Sequence, residues 1–161
     1  LLPTIISRTQ VLDFSENNFK LPIPNISIMK FLKRLNLSYN QINEFWLFPE
    51  SVEILLLNSN SIKFCNDHVL NLKNLTTLDL SYNLFSDISL LSDLITLKYL
   101  FLKNNHIVSS LPLQKLINLY ELDLESNEIS EFSDLKNWER HNSISILNMK
   151  GNPIIKYVFL Y

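Results

Sequence analysis

The chain has 161 residues, 47% of them hydrophobic and 19% charged, with a formal net charge of −2 and a sequence pI near 5.9. Those figures fit one soluble globular domain. They exclude a disordered tail, an electrostatically driven nucleic-acid binder and, because polar residues interrupt every apolar run, a membrane-spanning helix.

Leu occurs 32 times and Asn 20 times, while Ala is absent. The excess has a register. Asn17, Asn40, Asn60, Asn83, Asn105, Asn127 and Asn152 each have apolar residues five and three positions before them and another two positions after. From the first unit onward these triples are Leu12, Phe14, Phe19; Leu35, Leu37, Ile42; Leu55, Leu57, Ile62; Leu78, Leu80, Phe85; Leu100, Leu102, Ile107; Leu122, Leu124, Ile129; and Leu147, Met149, Ile154. The position eight before the Asn is apolar in every unit but the first, where it is Thr9. Alternation in RLNLS or ELDLE predicts a short strand with one buried face, which needs neighbours on both sides. The Asn side chain offers a donor and an acceptor to backbone groups that turn inward as the chain leaves the strand, so a continuous internal Asn ladder is expected.

Between these strands the spacing sets the outer segments. Successive Asn residues are 23, 20, 23, 22, 22 and 25 apart. The 20-residue unit after Asn40 contains Pro49, and Phe45 to Glu50 is read as extended. After Asn83 the apolar residues Phe85, Ile88, Leu91, Leu94, Leu97 and Leu100 recur every three positions, the rhythm of a 3₁₀ turn. In the longest unit Ser133 is expected to cap a helix over Asp134 to Arg140, with Asp134 at its positive end. Neither the leading LLPTIISRTQ nor the stretch from Pro153 to Tyr161 supplies the polar cap that a repeat array needs, so the chain is expected to be a piece of a longer protein.

The segment LKRLNLSYNQI, Leu32 to Ile42, resembles the LxxLxLxxNxI motif of the leucine-rich repeat family, and the resemblance covers residues 9 to 155. It implies one α/β solenoid over residues 1–161. That solenoid is a right-handed superhelix of about seven repeats, with a parallel sheet on its concave side and short helical, 3₁₀ or extended segments on its convex side. The 22-residue spacing is similar to that of the intracellular subclass typified by a protein phosphatase 1 regulatory subunit and an axonemal dynein light chain. The resemblance therefore implies a cytoplasmic, cytoskeletal or ciliary protein.

Catalytic constellations are missing from the sequence. His68, His106 and His141 have no carboxylate or Cys partner at ligand spacing and read as surface residues. Cys65 reads as a small core residue that cannot form an internal disulfide. The one glycine, Gly151, cannot build a phosphate loop. No enzyme activity, metal, cofactor or small-molecule substrate is expected. Three glycosylation sequons, at Asn25, Asn36 and Asn74, are about what chance supplies in so Asn-rich a chain. Their weakness and the lack of cysteine-bearing caps favour a reducing compartment.

Strand residues that flank the second Leu point to the concave face in such a fold. One column, six before each Asn, is Val11, Arg34, Ile54, Thr77, Tyr99, Glu121, Ile146; the other, four before, is Asp13, Asn36, Leu56, Asp79, Phe101, Asp123, Asn148. Ile54, Leu56, Tyr99 and Phe101 are apolar where packing does not require it. Asp79, Glu121, Asp123 and Glu125 surround them with negative charge, and Tyr82 and Tyr120 lie beside them. The expectation is a noncatalytic scaffold or regulatory subunit that binds a protein partner, with apolar and basic residues, on this face within a larger assembly. Two other readings stay open, a receptor ectodomain and an adaptor in a ribonucleoprotein. Strand propensity could explain Ile54 and Leu56, and Tyr99 could simply pack on its cross-strand neighbour.

Overall fold

The computed structural model describes residues 8–139 and 141–154. Seven strands, β1 (Val11–Asp13), β2 (Arg34–Asn36), β3 (Ile54–Leu56), β4 (Thr77–Asp79), β5 (Tyr99–Phe101), β6 (Glu121–Asp123) and β7 (Ile146–Asn148), form one parallel sheet in sequence order. Register is strict: the central leucines Leu12, Leu35, Leu55, Leu78, Leu100, Leu122 and Leu147 are Cα partners from strand to strand. Each strand is three residues long and alternates, so its middle residue enters the core while its two neighbours face outward. That alternation generates the two columns of the sheet face.

The core is one continuous stack. Between the second and sixth units the residues eight, five and three before the ladder Asn, and the one two after it, are fully buried. At the start of the chain Leu12, Phe14 and Phe19 are half-buried against the same core. Outer segments follow the spacing of the repeats. The longer units carry 3₁₀ turns at Asp67–Asn71, Ser89–Asp93 and Leu111–Lys115, and the first unit has a shorter one at Ile26–Ile28. In the 20-residue unit residues 45–49 carry no helix or strand. There Phe45, Trp46 and Phe48, all buried, fill the space, with Phe45 and Phe48 edge to face at 5.3 Å. Cys65 is buried in the same core.

The ladder Asn residues close each coil onto the one before. Asn83 is typical: Oδ1 accepts the Ile62 N–H at 2.9 Å, and Nδ2 donates to the carbonyls of Leu57 (3.0 Å) in the previous coil and of Leu80 (3.1 Å) in its own. Asn40, Asn60, Asn105, Asn127 and Asn152 repeat both links. Asn17 departs from the expected internal ladder. It is exposed and donates to Phe14 and Ser15 of its own turn.

The residue just before each ladder Asn adopts a left-handed conformation, with φ between 52° and 57° at Glu16, Tyr39, Ser59, Tyr82, Asn104 and Ser126, and 75° at Gly151. Six side chains tolerate the turn. At Gly151 a Cβ would also stand 3.1 Å from Ser126 Oγ, so glycine is favoured there on two grounds.

The last outer segment corrects an expectation. The α-helix spans Phe132–Trp138, starting one residue before Ser133, so Ser133 is not its cap. Asp134 does lie in the first turn of the helix, at its positive end, but buried. It is 1% exposed and accepts hydrogen bonds from the Ser110 N–H (2.5 Å), Ser110 Oγ (2.9 Å) and Ser109 Oγ (3.0 Å) of the preceding coil. Trp138 Nε1 donates to the same Ser110 Oγ at 2.9 Å. His141 is half-buried against Trp138, with ring centroids 5.0 Å apart, and is not a free surface residue. The helix end expected at Arg140 and the terminal stretches 1–7 and 155–161 lie outside the described residues.

Candidate functional site: the outer face of the sheet

The column four before each ladder Asn has a structural task that its spacing did not reveal. Where it holds Asp or Asn, Oδ1 accepts the backbone N–H two residues on, closing the bend at the strand exit. Asp13 holds Ser15 (3.0 Å), Asn36 holds Ser38 (3.1 Å), Asp79 holds Ser81 (2.9 Å), Asp123 holds Glu125 (2.9 Å) and Asn148 holds Lys150 (3.2 Å). Leu56 and Phe101 are the two exceptions. Neither has an acceptor, so the turn gives up this bond at the N–H groups of Asn58 and Lys103, and hydrocarbon stands on the sheet face instead. The signal was present in the repeats VLDFS, RLNLS, TLDLS, ELDLE and ILNMK set beside ILLLN and YLFLK.

Exposure of the predicted anchors is uneven. Tyr99 is exposed at 37%, whereas Ile54, Leu56 and Phe101 are half-buried against their strand neighbours and are not fully exposed as expected. Tyr99 lies edge-on to Tyr120, with centroids 6.0 Å apart, so the cross-strand packing weighed for it does occur. Tyr120 and Tyr82 are exposed. Tyr82, however, sits on the left-handed turn, off the sheet columns.

Charge around these anchors is partly compensated. Glu125, expected to belong to an acidic rim, accepts from Lys103 Nζ at 3.1 Å and Asn148 Nδ2 at 3.1 Å. The Lys103 bond, then the Asn148 bond, hold its carboxyl below the ordinary value. Asp79 is pushed the other way. Burial lifts its carboxyl above the ordinary value against the pull of Ser81, and the like charge of Asp123 adds to the rise. Glu121 and Asp123 are half-buried on β6. Elsewhere the fold brings His106 Nδ1 to 2.8 Å from Glu128 Oε1, a carboxylate partner the sequence did not show, but both side chains are more than half exposed. Among the described residues no group of three or more His, Cys, Asp or Glu is placed to hold a metal ion. Among them, too, no helix is long and apolar enough to cross a membrane.

A family profile described as "Leucine rich repeat" matches residues 50–107 and a second of the same description matches residues 31–53. Together with the in-register parallel sheet, these decide the family. The chain belongs to the leucine-rich repeat family. Among leucine-rich repeat relatives, osteomodulin of Rattus norvegicus is 39% identical over 109 residues, covering 64% of this chain and 26% of that protein. Tubulin-specific chaperone E of Xenopus laevis is 30% identical over 142 residues, covering 81% of this chain and 27% of that protein. Among solved structures, a chain of the octameric complex of latrophilin 3, Unc5D and FLRT2 superposes with a TM-score of 0.75 at 27% identity. The match covers 89% of this chain and 46% of that one. This leucine-rich repeat chain therefore spans about a quarter of these two curated relatives and under half of the solved chain.

Proposed function

We propose that this leucine-rich repeat chain is a noncatalytic protein-recognition module, a scaffold or regulatory subunit, whose partner lies on the concave sheet face over Leu56, Tyr99 and Phe101. One observation carries the reading. In a column where Asp or Asn closes the turn in the other five repeats, Leu56 and Phe101 forgo that bond and present half-exposed apolar surface on the sheet face. The resemblance to a chain solved within an octameric complex supports it. A cytoplasmic, cytoskeletal or ciliary location rests on the 22-residue spacing, and the buried, unpaired Cys65 is compatible with a reducing compartment.

Crosslinking and mass spectrometry on the native assembly tests the reading and names the neighbour. Crosslinks are expected on Lys33, Lys98 and Lys103, which border the sheet face. Crosslinks confined to Lys73, Lys115 and Lys136, on the outer segments, would move the interface to the convex side and defeat the proposal.

A further inference from the structure

Three successive rungs of one column give the sheet face a defined chemistry. Asp79, Phe101 and Asp123 are Cα partners across β4, β5 and β6. The two acids are therefore two strands apart, about 9.6 Å at roughly 4.8 Å per strand, with an aromatic ring between them. In β1 and β2 the second oxygen of Asp13 is satisfied by Asn36 Nδ2 at 3.2 Å. Asp79 has no such neighbour, because the column places Leu56 on one side of it and Phe101 on the other. Asp123 has Phe101 on one side and Asn148 on the other, and Asn148 Nδ2 is directed to Glu125. Lys103 is engaged by Glu125 as well.

Burial raises the Asp79 carboxyl, the backbone and hydroxyl bonds from Ser81 oppose the rise, and the only charge that adds to it is the like charge of Asp123. Two carboxylates with a spare oxygen each, flanking an aromatic face, are complementary to a cation that is flat and carries donors on more than one edge. A guanidinium has that form, whereas an ammonium is a compact, strongly hydrated point charge.

We propose that the sheet face over β4 to β6 takes an arginine side chain of the partner protein, its guanidinium lying on the Phe101 ring and donating to Asp79 on one side and Asp123 on the other. This rests on the sheet-face reading above and adds the partner's chemistry. Tyr99, in the neighbouring column and packed on Tyr120, supplies the apolar surface beside the guanidinium for the residue next to that arginine.

A random peptide library displayed on phage, selected against the full chain, tests it. Enriched peptides are expected to share an arginine beside an apolar residue. Replacing that arginine by citrulline, which keeps the shape and removes the charge, weakens binding by roughly tenfold or more. The double variant Asp79→Asn with Asp123→Asn gives the same loss on the protein side. Asn keeps the Oδ1 turn bond, as Asn36 and Asn148 do, so the fold is preserved. The citrulline peptide needs no change in the protein and serves if that variant fails to fold.

Enriched peptides without arginine, or indifferent to citrulline, overturn the proposal, as does the absence of any enriched peptide. If arginine-free peptides still lose binding to a Phe101→Asn variant, the sheet-face reading stands and only the arginine is wrong. If they bind that variant normally, both are wrong.

Discussion

Replacing Phe101 by Asn separates what the fold needs from what a partner needs. Asn at this position can accept the Lys103 N–H as Asn36 and Asn148 do in their own repeats, a gain of about 1 kcal/mol. Its Nδ2 can also reach a carboxylate of the neighbouring rung, as Asn36 reaches Asp13. Against this stands the loss of a half-buried phenyl group, about 1 kcal/mol if half of a full aromatic burial is forfeited. The two nearly cancel. Thermal unfolding followed by circular dichroism is expected to move by no more than about 3 °C. Partner binding should lose the roughly 2 kcal/mol typical of an aromatic anchor, about thirtyfold in Kd, measured by calorimetry with the neighbour that crosslinking identifies. A melting point lowered by ten degrees or so would show Phe101 to be core packing. Unchanged affinity would show that the sheet face is not the interface.

Other outcomes follow from the same geometry. Asn83→Ala leaves the buried Ile62 N–H without its acceptor and takes one amide donor each from the Leu57 and Leu80 carbonyls, which keep Asn60 and Asn105, and should lower stability by about 2 kcal/mol in urea, whereas exposed Asn17→Ala should lower it by under about 1. Equal effects would contradict the ladder. Asp79 has a folded carboxyl raised above its unfolded value of 3.8, so its charged form opposes folding above the raised value, and the penalty fades as pH falls toward 3.8. Asp79→Asn should therefore raise the Tm at pH 7 and leave it unchanged near pH 3; a variant equally stabilised at both pH values would refute the assignment. Burial, and to a lesser degree the charge of Asp87, push the Cys65 thiol up. Its alkylation by iodoacetamide at pH 8 should thus proceed at the rate of unfolding, and rapid labelling of the native protein would place it outside the core.

The strands and the inner leucines were legible because they are periodic. A residue five before each Asn must alternate with its neighbours and must recur in every coil, and Leu35, Leu55, Leu78, Leu100 and Leu122 do both. The 3₁₀ turns were legible in the three-residue rhythm after Asn83. Other features depend on a direction that periodicity does not carry. The Asp and Asn column was visible, yet its role follows from where the N–H two residues on points as the strand ends. Asp134 lies in the first turn as read, but Ser133 was taken as the cap because Ser-Asp looks like a helix start. With the helix beginning at Phe132, two residues before the expected start, Asp134 meets Ser110 inside the array and does not face water. The half-burial of Leu56 and Phe101 reflects the spacing of adjacent strands, a property of the assembled sheet.

The Asn ladder makes the solenoid directional. From Asn40 onward every ladder side chain reaches back: Asn152 holds the Ile129 N–H and the Leu124 carbonyl, and none of these side chains reaches forward. Each coil is thus completed by its successor. Peeling the array from the late end takes the acceptor from one backbone N–H in every newly exposed coil, whose carbonyl keeps the Asn of its own turn, while peeling from the early end frees only an amide side chain. The two ends are chemically unequal, and unravelling under force should start and stall differently according to which end is pulled.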